Sequence, residues 1–135
     1  MPTIEPTALQ EFVTNIFLAK EVTEEVAATV AESLVLSNLK GHDSHGFIRV
    51  IEYVDWLNRG WIQPEGELEI IKDTDTILIV DGHFQFGQVI GRQATALAIE
   101  RTKGNGMCVL TIRRSSHLGR IGEFMELAAE AGIVS

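Results

Sequence analysis

A strand-like run at residues 107–112, M-C-V-L-T-I, limits the fold of this chain more than any other feature. The stretch 104–106, G-N-G, breaks the chain immediately before it. Apolar spacing on either side predicts helices at residues 88–102 and 122–131. Because this alternation of helix and strand is typical of α/β proteins, we expect a sheet covered by helices in the second half of the chain.

Two helices are predicted at the N-terminus, at residues 6–19 and 24–40. Pro6 suits a first helical turn, and Thr7 with Gln10 matches a capping box. Each helix carries an apolar stripe that we expect to be core: Leu9, Phe12, Val13, Ile16 and Phe17 in the first, and Val26, Val30, Ala31, Leu34, Val35 and Leu39 in the second.

A third helix is predicted at residues 47–58, and the runs 68–72 and 76–80 predict a β-hairpin. The fold class is therefore α/β in the mixed α+β sense, with N-terminal helices and a small sheet with helices. We divide the chain into a helical segment, residues 1–66, and the first part of an α/β domain, residues 67–135.

Composition and charge exclude several classes of function. With 19 acidic and 11 basic residues, the net charge is −8, which argues against a nucleic-acid surface and against binding to an anionic membrane. A local cluster of Arg113, Arg114 and Arg120 remains able to bind a small anion. Cys108 is the only cysteine, so a disulfide within the chain and a cysteine-based metal site are excluded. A cytoplasmic location is the expectation.

The stretch 41–49, G-H-D-S-H-G-F-I-R, concentrates reactive side chains between two predicted helices. We expect Gly41 to end the preceding helix in a left-handed conformation. If the next helix begins near Ser44, His45 and Arg49 share one face, because they are four residues apart. A proton donor beside a fixed cation suits a substrate whose carboxylate lies next to a reacting oxygen.

Other interpretations of this stretch remain open. It also fits a polar loop in which Asp43 or Ser44 caps the next helix. His42, Asp43 and His45 could belong to a metal site, although no pattern of further ligands is evident. Ser44 and His45 could form a hydrolase pair, but the chain has no G-x-S-x-G motif. We predict no metal.

A second polar stretch, residues 115–122, reads S-S-H-L-G-R-I-G and joins a predicted strand to a predicted helix. The N-terminus of a helix binds anions, Gly119 permits close approach, and Arg120 adds a cation. This arrangement suits a phosphate or diphosphate, although the spacing is not the dinucleotide fingerprint G-x-G-x-x-G. The alternative is an ordinary turn capped by Ser115 or Ser116.

Taken together, these motifs resemble the malate/L-lactate dehydrogenase family, which also contains sulfolactate, ureidoglycolate and cyclic imino acid oxidoreductases. The resemblance covers nearly the whole chain. The segments that carry it are G-H-D-S-H-G-F-I-R at 41–49, Y-V-D-W-L-N-R-G at 53–60, V-D-G-H-F-Q-F-G at 80–87, residues 106–114, S-S-H-L-G-R at 115–120 and A-A-E-A-G-I at 128–133.

The resemblance implies a hydride transfer between NAD or NADP and a small 2-hydroxy or 2-oxo acid, in a non-Rossmann fold and a homodimer. Ser44 and His45 match the pair that supplies the proton, and Arg49 matches the arginine that binds the substrate carboxylate. His117 matches a residue assigned as a proton acceptor in some members and a cofactor contact in others. A cofactor-binding segment matches His117, Leu118, Gly119, Arg120 and Ile121.

Family chains are more than twice as long, and this sequence stops where a strand of an α/β protein is expected to begin. We therefore expect the chain to be the N-terminal portion of a longer enzyme and to be inactive alone. The alternatives are a reductase of a cyclic imino acid or ureidoglycolate-type substrate, and a non-catalytic interaction domain.

Overall fold

The computed structural model describes residues 3–135 and contains five α-helices and three β-strands. The mixed class is confirmed, and the predicted ends lie within three residues of the observed ones. In chain order the elements are α1 (Pro6–Leu18), α2 (Glu24–Leu39), α3 (Val50–Asn58), β1 (Glu69–Asp73), β2 (Ile77–Asp81), α4 (Gly87–Asn105), β3 (Val109–Arg113) and α5 (Gly122–Glu130).

The N-terminal helices pack through their apolar stripes, with one exception in each stripe. Val13 and Phe17 of α1 are fully buried against α2. Phe12 and Leu39, predicted as core, are exposed by 56% and 64%. The predicted capping box is also wrong, because the N-cap is Glu5 and no side chain bonds to the first turn of α1.

Residues 43–49 differ from the predicted helix start. They form two short 3₁₀ turns, Asp43–His45 and Phe47–Arg49, separated by an extended Gly46. Neither Asp43 nor Ser44 caps a helix. Instead the Asn38 amide bridges the break: its Nδ2 donates to Asp43 Oδ1 at 2.7 Å, and its Oδ1 accepts from the Phe47 amide at 2.7 Å. Gly41 does end α2 with a φ of 78°, as predicted.

The sheet has the order β1-β2-β3. β1 and β2 form the predicted antiparallel hairpin, and β3 runs parallel to β2. α4 makes the crossover between these parallel strands, as a βαβ unit requires. A small core forms under the sheet from the buried Leu78, Val80 and Ala94, with Leu68, Leu97, Cys108, Leu110 and Ile112 packed against it.

The larger core lies among the helices and includes two residues from the second half of the chain. Phe86 and Val89, at the start of α4, pack with the buried residues of α1, α2 and α3. The start of α4 is thereby fixed to the helical layer, which matters for the site described next. None of the described helices has the length and hydropathy needed to cross a bilayer.

Candidate active site

The structure brings together two histidines that lie far apart in the sequence. The imidazoles of His45 and His117 stack with their centroids 5.5 Å apart and their planes 21° from parallel. His45 comes from the first 3₁₀ turn, and His117 from the loop between β3 and α5. Both residues are half-buried.

Ser44 and Arg49 complete this group on the side of the 3₁₀ turns. Ser44 Oγ lies 2.9 Å from His45 Nδ1. Arg49 Nε donates to the Ser44 carbonyl at 2.6 Å, and its Nη1 pairs with Glu52. Arg49 therefore lies near the turn that carries His45. A hydrogen bond to a backbone carbonyl across two 3₁₀ turns places it there, and not one continuous helix. We call Ser44, His45, Arg49 and His117 the open cluster.

Tyr53 is a residue of this site that sequence reasoning missed. Its hydroxyl lies 2.8 Å from His117 Nδ1 and accepts a hydrogen bond from Gln88 Nε2 at 2.7 Å. Tyr53 and Gln88 are both buried. A signal was available: Tyr53 follows Arg49 by four residues, the spacing that places two helical side chains on one face. The contacts of Tyr53 with His117 and Gln88 join different elements, and no spacing in the sequence indicates them.

Burial shifts the protonation of both partners in this contact. Desolvation is the largest effect on His117, and it lowers the pKa because burial disfavours the charged imidazole. Coulombic repulsion from Arg49 and His45 lowers this pKa further. Desolvation also raises the pKa of Tyr53 to about 12, against a small opposing effect of the bond from Gln88. Near neutral pH the imidazole of His117 is therefore uncharged and the Tyr53 hydroxyl keeps its proton.

Close backbone packing sets the position of His117. The first residue of α4, Gly87, lies directly against the His117 carbonyl, and a Cβ at position 87 would overlap the backbone of residues 117 and 118. The Ser116 amide donates to the Gln85 carbonyl at 3.1 Å. Since α4 begins in the helical core, these contacts hold His117 against the same layer that carries His45 and Tyr53.

The predicted cofactor segment presents free backbone donors. In the described part of the chain, the amides of Leu118, Gly119 and Ile121 donate to no protein acceptor. The segment leads into α5, whose N-cap is Ile121 without a side-chain cap. The alternative of a turn capped by Ser115 or Ser116 is therefore wrong.

Arg120 is placed differently from the free cation that the sequence suggested. Its guanidinium is buried and pairs with both oxygens of Glu126, at 3.0 and 2.8 Å. Its Nε is buried without a partner in residues 3–135. The side chain of Arg120 is thus neutralised inside the protein.

Two of the three arginines suggested as an anion-binding cluster, Arg113 and Arg114, pair with the fully buried Asp81. Arg113 Nε lies 2.6 Å from Asp81 Oδ2, and Arg114 Nε lies 2.9 Å from both carboxylate oxygens. These bonds, those of Arg114 above all, hold the pKa of Asp81 well below its usual range. Arg114 also contacts His83. We call Asp81, His83, Arg113 and Arg114 the paired cluster.

Within residues 3–135, no three side chains of His, Cys, Asp or Glu converge as metal ligands would. His42, one of the three groups in that interpretation, is exposed on the surface.

Comparison with known proteins identifies the family. Residues 4–135 match the malate/L-lactate dehydrogenase family. The chain belongs to this family. It is similar to an L-lactate dehydrogenase of Cupriavidus necator, with 37% identity over 97% of the chain and 38% of that enzyme. The chain therefore spans about 38% of the length of this relative.

Solved structures of other family members share the fold. The malate dehydrogenase of Pyrococcus horikoshii superposes with a TM-score of 0.93 and 31% identity, covering 97% of this chain and 38% of that one. The Δ1-piperideine-2-carboxylate reductase of Pseudomonas syringae pvar. tomato superposes with a TM-score of 0.87 and 26% identity, over 98% of this chain and 40% of that one. The chain is thus similar in structure both to a malate dehydrogenase and to a cyclic imino acid reductase.

Proposed function

We propose that the full-length protein is an NAD- or NADP-dependent dehydrogenase that transfers a hydride between the nicotinamide and a small 2-hydroxy or 2-oxo acid such as malate or lactate. The observation that carries this proposal is the open cluster: one arginine and two histidines on one face of the helical layer. Glu52, the carboxylate that pairs with Arg49, contacts only one edge of the Arg49 guanidinium.

Arg49 is assigned to the substrate carboxylate. Its Nε and Nη1 hold the Ser44 carbonyl and Glu52, while its Nη2 has no partner in the described residues. The anchored guanidinium is a rigid planar donor, which suits a carboxylate better than a mobile ammonium does. The hydrogen bond to the Ser44 carbonyl also fixes the distance between this cation and the adjacent His45.

His45 is assigned to proton transfer at the reacting oxygen. In reduction it gives a proton to the carbonyl oxygen of the substrate, and in oxidation it takes one from the hydroxyl. An imidazole suits both directions, because it can give a proton and take one near neutral pH. Ser44 Oγ bonds to Nδ1 and so orients the ring, which leaves Nε2 for the substrate.

The segment His117, Leu118, Gly119, Arg120 and Ile121 is assigned to the cofactor. Its free backbone amides at the start of α5 fit the negative charge of a diphosphate. Arg120 enters this assignment through its backbone amide, since its side chain is held by Glu126. A bound nicotinamide supplies or accepts the hydride. We further propose a cytoplasmic homodimer, and a domain boundary near residue 66.

A second candidate function is the reduction of a cyclic imine that carries a carboxylate. The structural likeness to the Pseudomonas Δ1-piperideine-2-carboxylate reductase favours it. The same groups would serve, because such a substrate also presents a carboxylate to Arg49, and His45 would give its proton to the imine nitrogen in place of an oxygen.

A substrate screen on the full-length protein tests the proposal. Oxidation of NADH and of NADPH is followed by absorbance with pyruvate, oxaloacetate and Δ1-piperideine-2-carboxylate. Turnover of a 2-oxo acid is the expected result, and turnover of the imine alone would select the second candidate. A folded protein that oxidises neither cofactor with any of these substrates would favour the non-catalytic interaction domain.

A further inference from the structure

We propose that Tyr53 and Gln88 are positioning residues that hold neutral His117 in the tautomer with its proton on Nε2. In this state His117 is a hydrogen-bond donor to a ligand, and proton transfer is left to His45. The catalytic half of this inference rests on the proposed function, whereas the tautomer does not.

The direction of the hydrogen bonds follows from the donors available. Gln88 Nε2 is an amide donor and gives a hydrogen to the Tyr53 oxygen at 2.7 Å. The tyrosine hydroxyl then has one hydrogen of its own to place. The remaining partner is His117 Nδ1 at 2.8 Å, which must accept it through a lone pair. A neutral imidazole that accepts at Nδ1 carries its proton on Nε2.

The opposite orientation of the Gln88 amide is less favourable. Turning the amide over would let its oxygen accept from Tyr53 and would reverse the whole chain of bonds. It would also move the amide nitrogen to the buried position of Oε1, so that neither of its hydrogens would be given to the tyrosine, whereas the orientation described keeps one of them bonded. The orientation described leaves one buried carbonyl oxygen, Gln88 Oε1, unpaired within residues 3–135. Unpaired buried carbonyls are tolerated more often than unpaired buried N–H groups.

Packing holds Gln88 in place for this role. Gly119 lies against the Gln88 side chain, and a Cβ at position 119 would lie 3.0 Å from Nε2. The amide therefore sits between Tyr53 and the loop that carries His117. A substitution at Gly119 would push the amide away from the tyrosine hydroxyl.

The charged surroundings of His117 act in the same direction. His45 and Arg49 disfavour a cationic His117, with only Glu52 opposing them. An imidazolium would also need Tyr53 to accept at its oxygen, where Gln88 already donates. His117 consequently remains neutral with Nε2–H, a group that donates a hydrogen bond but cannot accept a proton at that nitrogen. His45, whose Nδ1 contacts a serine hydroxyl that can donate or accept, is free of this restriction.

Nitrogen NMR of the full-length protein with ¹⁵N-labelled histidine reads the tautomer directly, with the His117 signals assigned by their loss in His117→Asn. At neutral pH we expect an unprotonated Nδ1 and a protonated Nε2. In Tyr53→Phe the hydroxyl donor to the neutral ring is lost, so both tautomers should appear and the pKa of His117 should rise. Gln88→Leu should weaken the preference for the tautomer with the proton on Nε2 less than Tyr53→Phe does. We expect kcat/KM to fall about 10–100-fold in Tyr53→Phe, as for other partners that orient a functional histidine.

Ser37→Ala is the matched control, because it also removes one buried hydroxyl, which donates to the Ser33 carbonyl within α2. It should leave the His117 signals unchanged. Native His117 protonated on Nδ1, or a preference unaltered by both Tyr53→Phe and Gln88→Leu, would overturn the proposal even in an active dehydrogenase. The native spectrum decides the tautomer even if a variant fails to fold. The predicted tautomer in a protein without dehydrogenase activity would count against the proposed function alone.

Discussion

The open cluster and the paired cluster contain similar polar and charged side chains. They differ in how many of the hydrogen-bond donors and acceptors already have partners. In the paired cluster, a fully buried carboxylate of Asp81 accepts from two arginines and from the His83 amide. In the open cluster, no carboxylate in the described residues reaches either imidazole, and Arg49 is only partly paired. Groups that satisfy one another hold the fold together, whereas groups with unused donors and acceptors are available to a ligand.

Position in the fold agrees with this difference. Asp81 and Arg113 face each other in the register of β2 and β3, so their pairing joins the ends of two strands. His45 and His117 sit on loops that pack against the helical core. Substitutions should therefore separate the two clusters: those in the open cluster should change kinetics, and those in the paired cluster should change stability.

The largest effect is expected for His45→Ala in the full-length enzyme. Loss of the group to which we assign proton transfer should lower kcat by about 10²–10⁴-fold and remove one limb of the pH profile. Steady-state kinetics between pH 5 and 9 measure both. His42→Ala, which removes an exposed histidine of the same segment, is the control and should be nearly neutral. Near-normal turnover of His45→Ala would move proton transfer to His117.

Arg49→Lys should have the next largest effect. The lysine ammonium cannot reproduce the planar donor that bonds to Ser44 and to which we assign the substrate carboxylate. KM for the acid should therefore rise about 10–100-fold, which corresponds to the loss of one charge-assisted hydrogen bond. Initial-rate measurements over a range of substrate concentrations provide the test. Arg59→Lys is the control, since Arg59 pairs with Asp55 and lies over the Trp61 ring on the exposed surface of the same helical segment. Equal KM values for the two variants would show that Arg49 does not bind the substrate carboxylate.

Asp81→Asn should alter kcat/KM by less than about twofold, because the buried Asp81 carboxylate bonds to Arg113, Arg114 and the His83 amide and to no member of the open cluster. It should instead lower the melting temperature at neutral pH. The pKa of Asp81 is lowered in the folded state, so its contribution is present above the unfolded value of about 3.9 and is lost as pH falls through the folded value. The difference in melting temperature from native protein should therefore narrow below about pH 4.

Thermal unfolding at several pH values measures this difference. Asp75→Asn, in the exposed hairpin turn, is the matched control and should show no such pH dependence. A difference in melting temperature between native protein and Asp81→Asn that grows as the pH falls would contradict the role assigned to Asp81.

The smallest effect expected is spectroscopic and concerns the border of the open cluster. Because burial raises the pKa of Tyr53 to about 12, this tyrosine should stay protonated at about pH 11, where an exposed tyrosine is mostly ionised. The ultraviolet difference spectrum between native protein and Tyr53→Phe isolates its signal. Ionisation near pH 10 would show that the hydroxyl is solvated and not held between Gln88 and His117.

Local patterns in the sequence predicted most of the fold. Helical spacing located α1, α2 and α5 closely, because their apolar faces pack against the core at that period. The spacing of four residues predicted one helical face for His45 and Arg49, but a break at Gly46 separates them, and Arg49 reaches the turn of His45 through the Ser44 carbonyl. Periodicity describes regular structure and carries no information about where a glycine interrupts it.

Pairings between distant residues were beyond the sequence. Tyr53 meets His117 and Gln88 only because α3, α4 and the β3–α5 loop converge, and no local spacing encodes that meeting. The arginines were misjudged for the same reason: each looked like a free cation until its carboxylate, Asp81 or Glu126, was located. A single sequence shows which groups carry charge, but tertiary structure decides which charges are already neutralised.

We propose above all that the open cluster binds the carboxylate of a 2-oxo acid through Arg49. The most direct test is a cycle of four kcat/KM values, in which native enzyme and Arg49→Lys are each measured with a 2-oxo acid and with its 2-oxo amide. We expect native enzyme to prefer the acid strongly and Arg49→Lys to lose about 10–100-fold of this preference, because both partners of one charge-assisted contact are then altered. An unchanged ratio of acid to amide in the variant would contradict it.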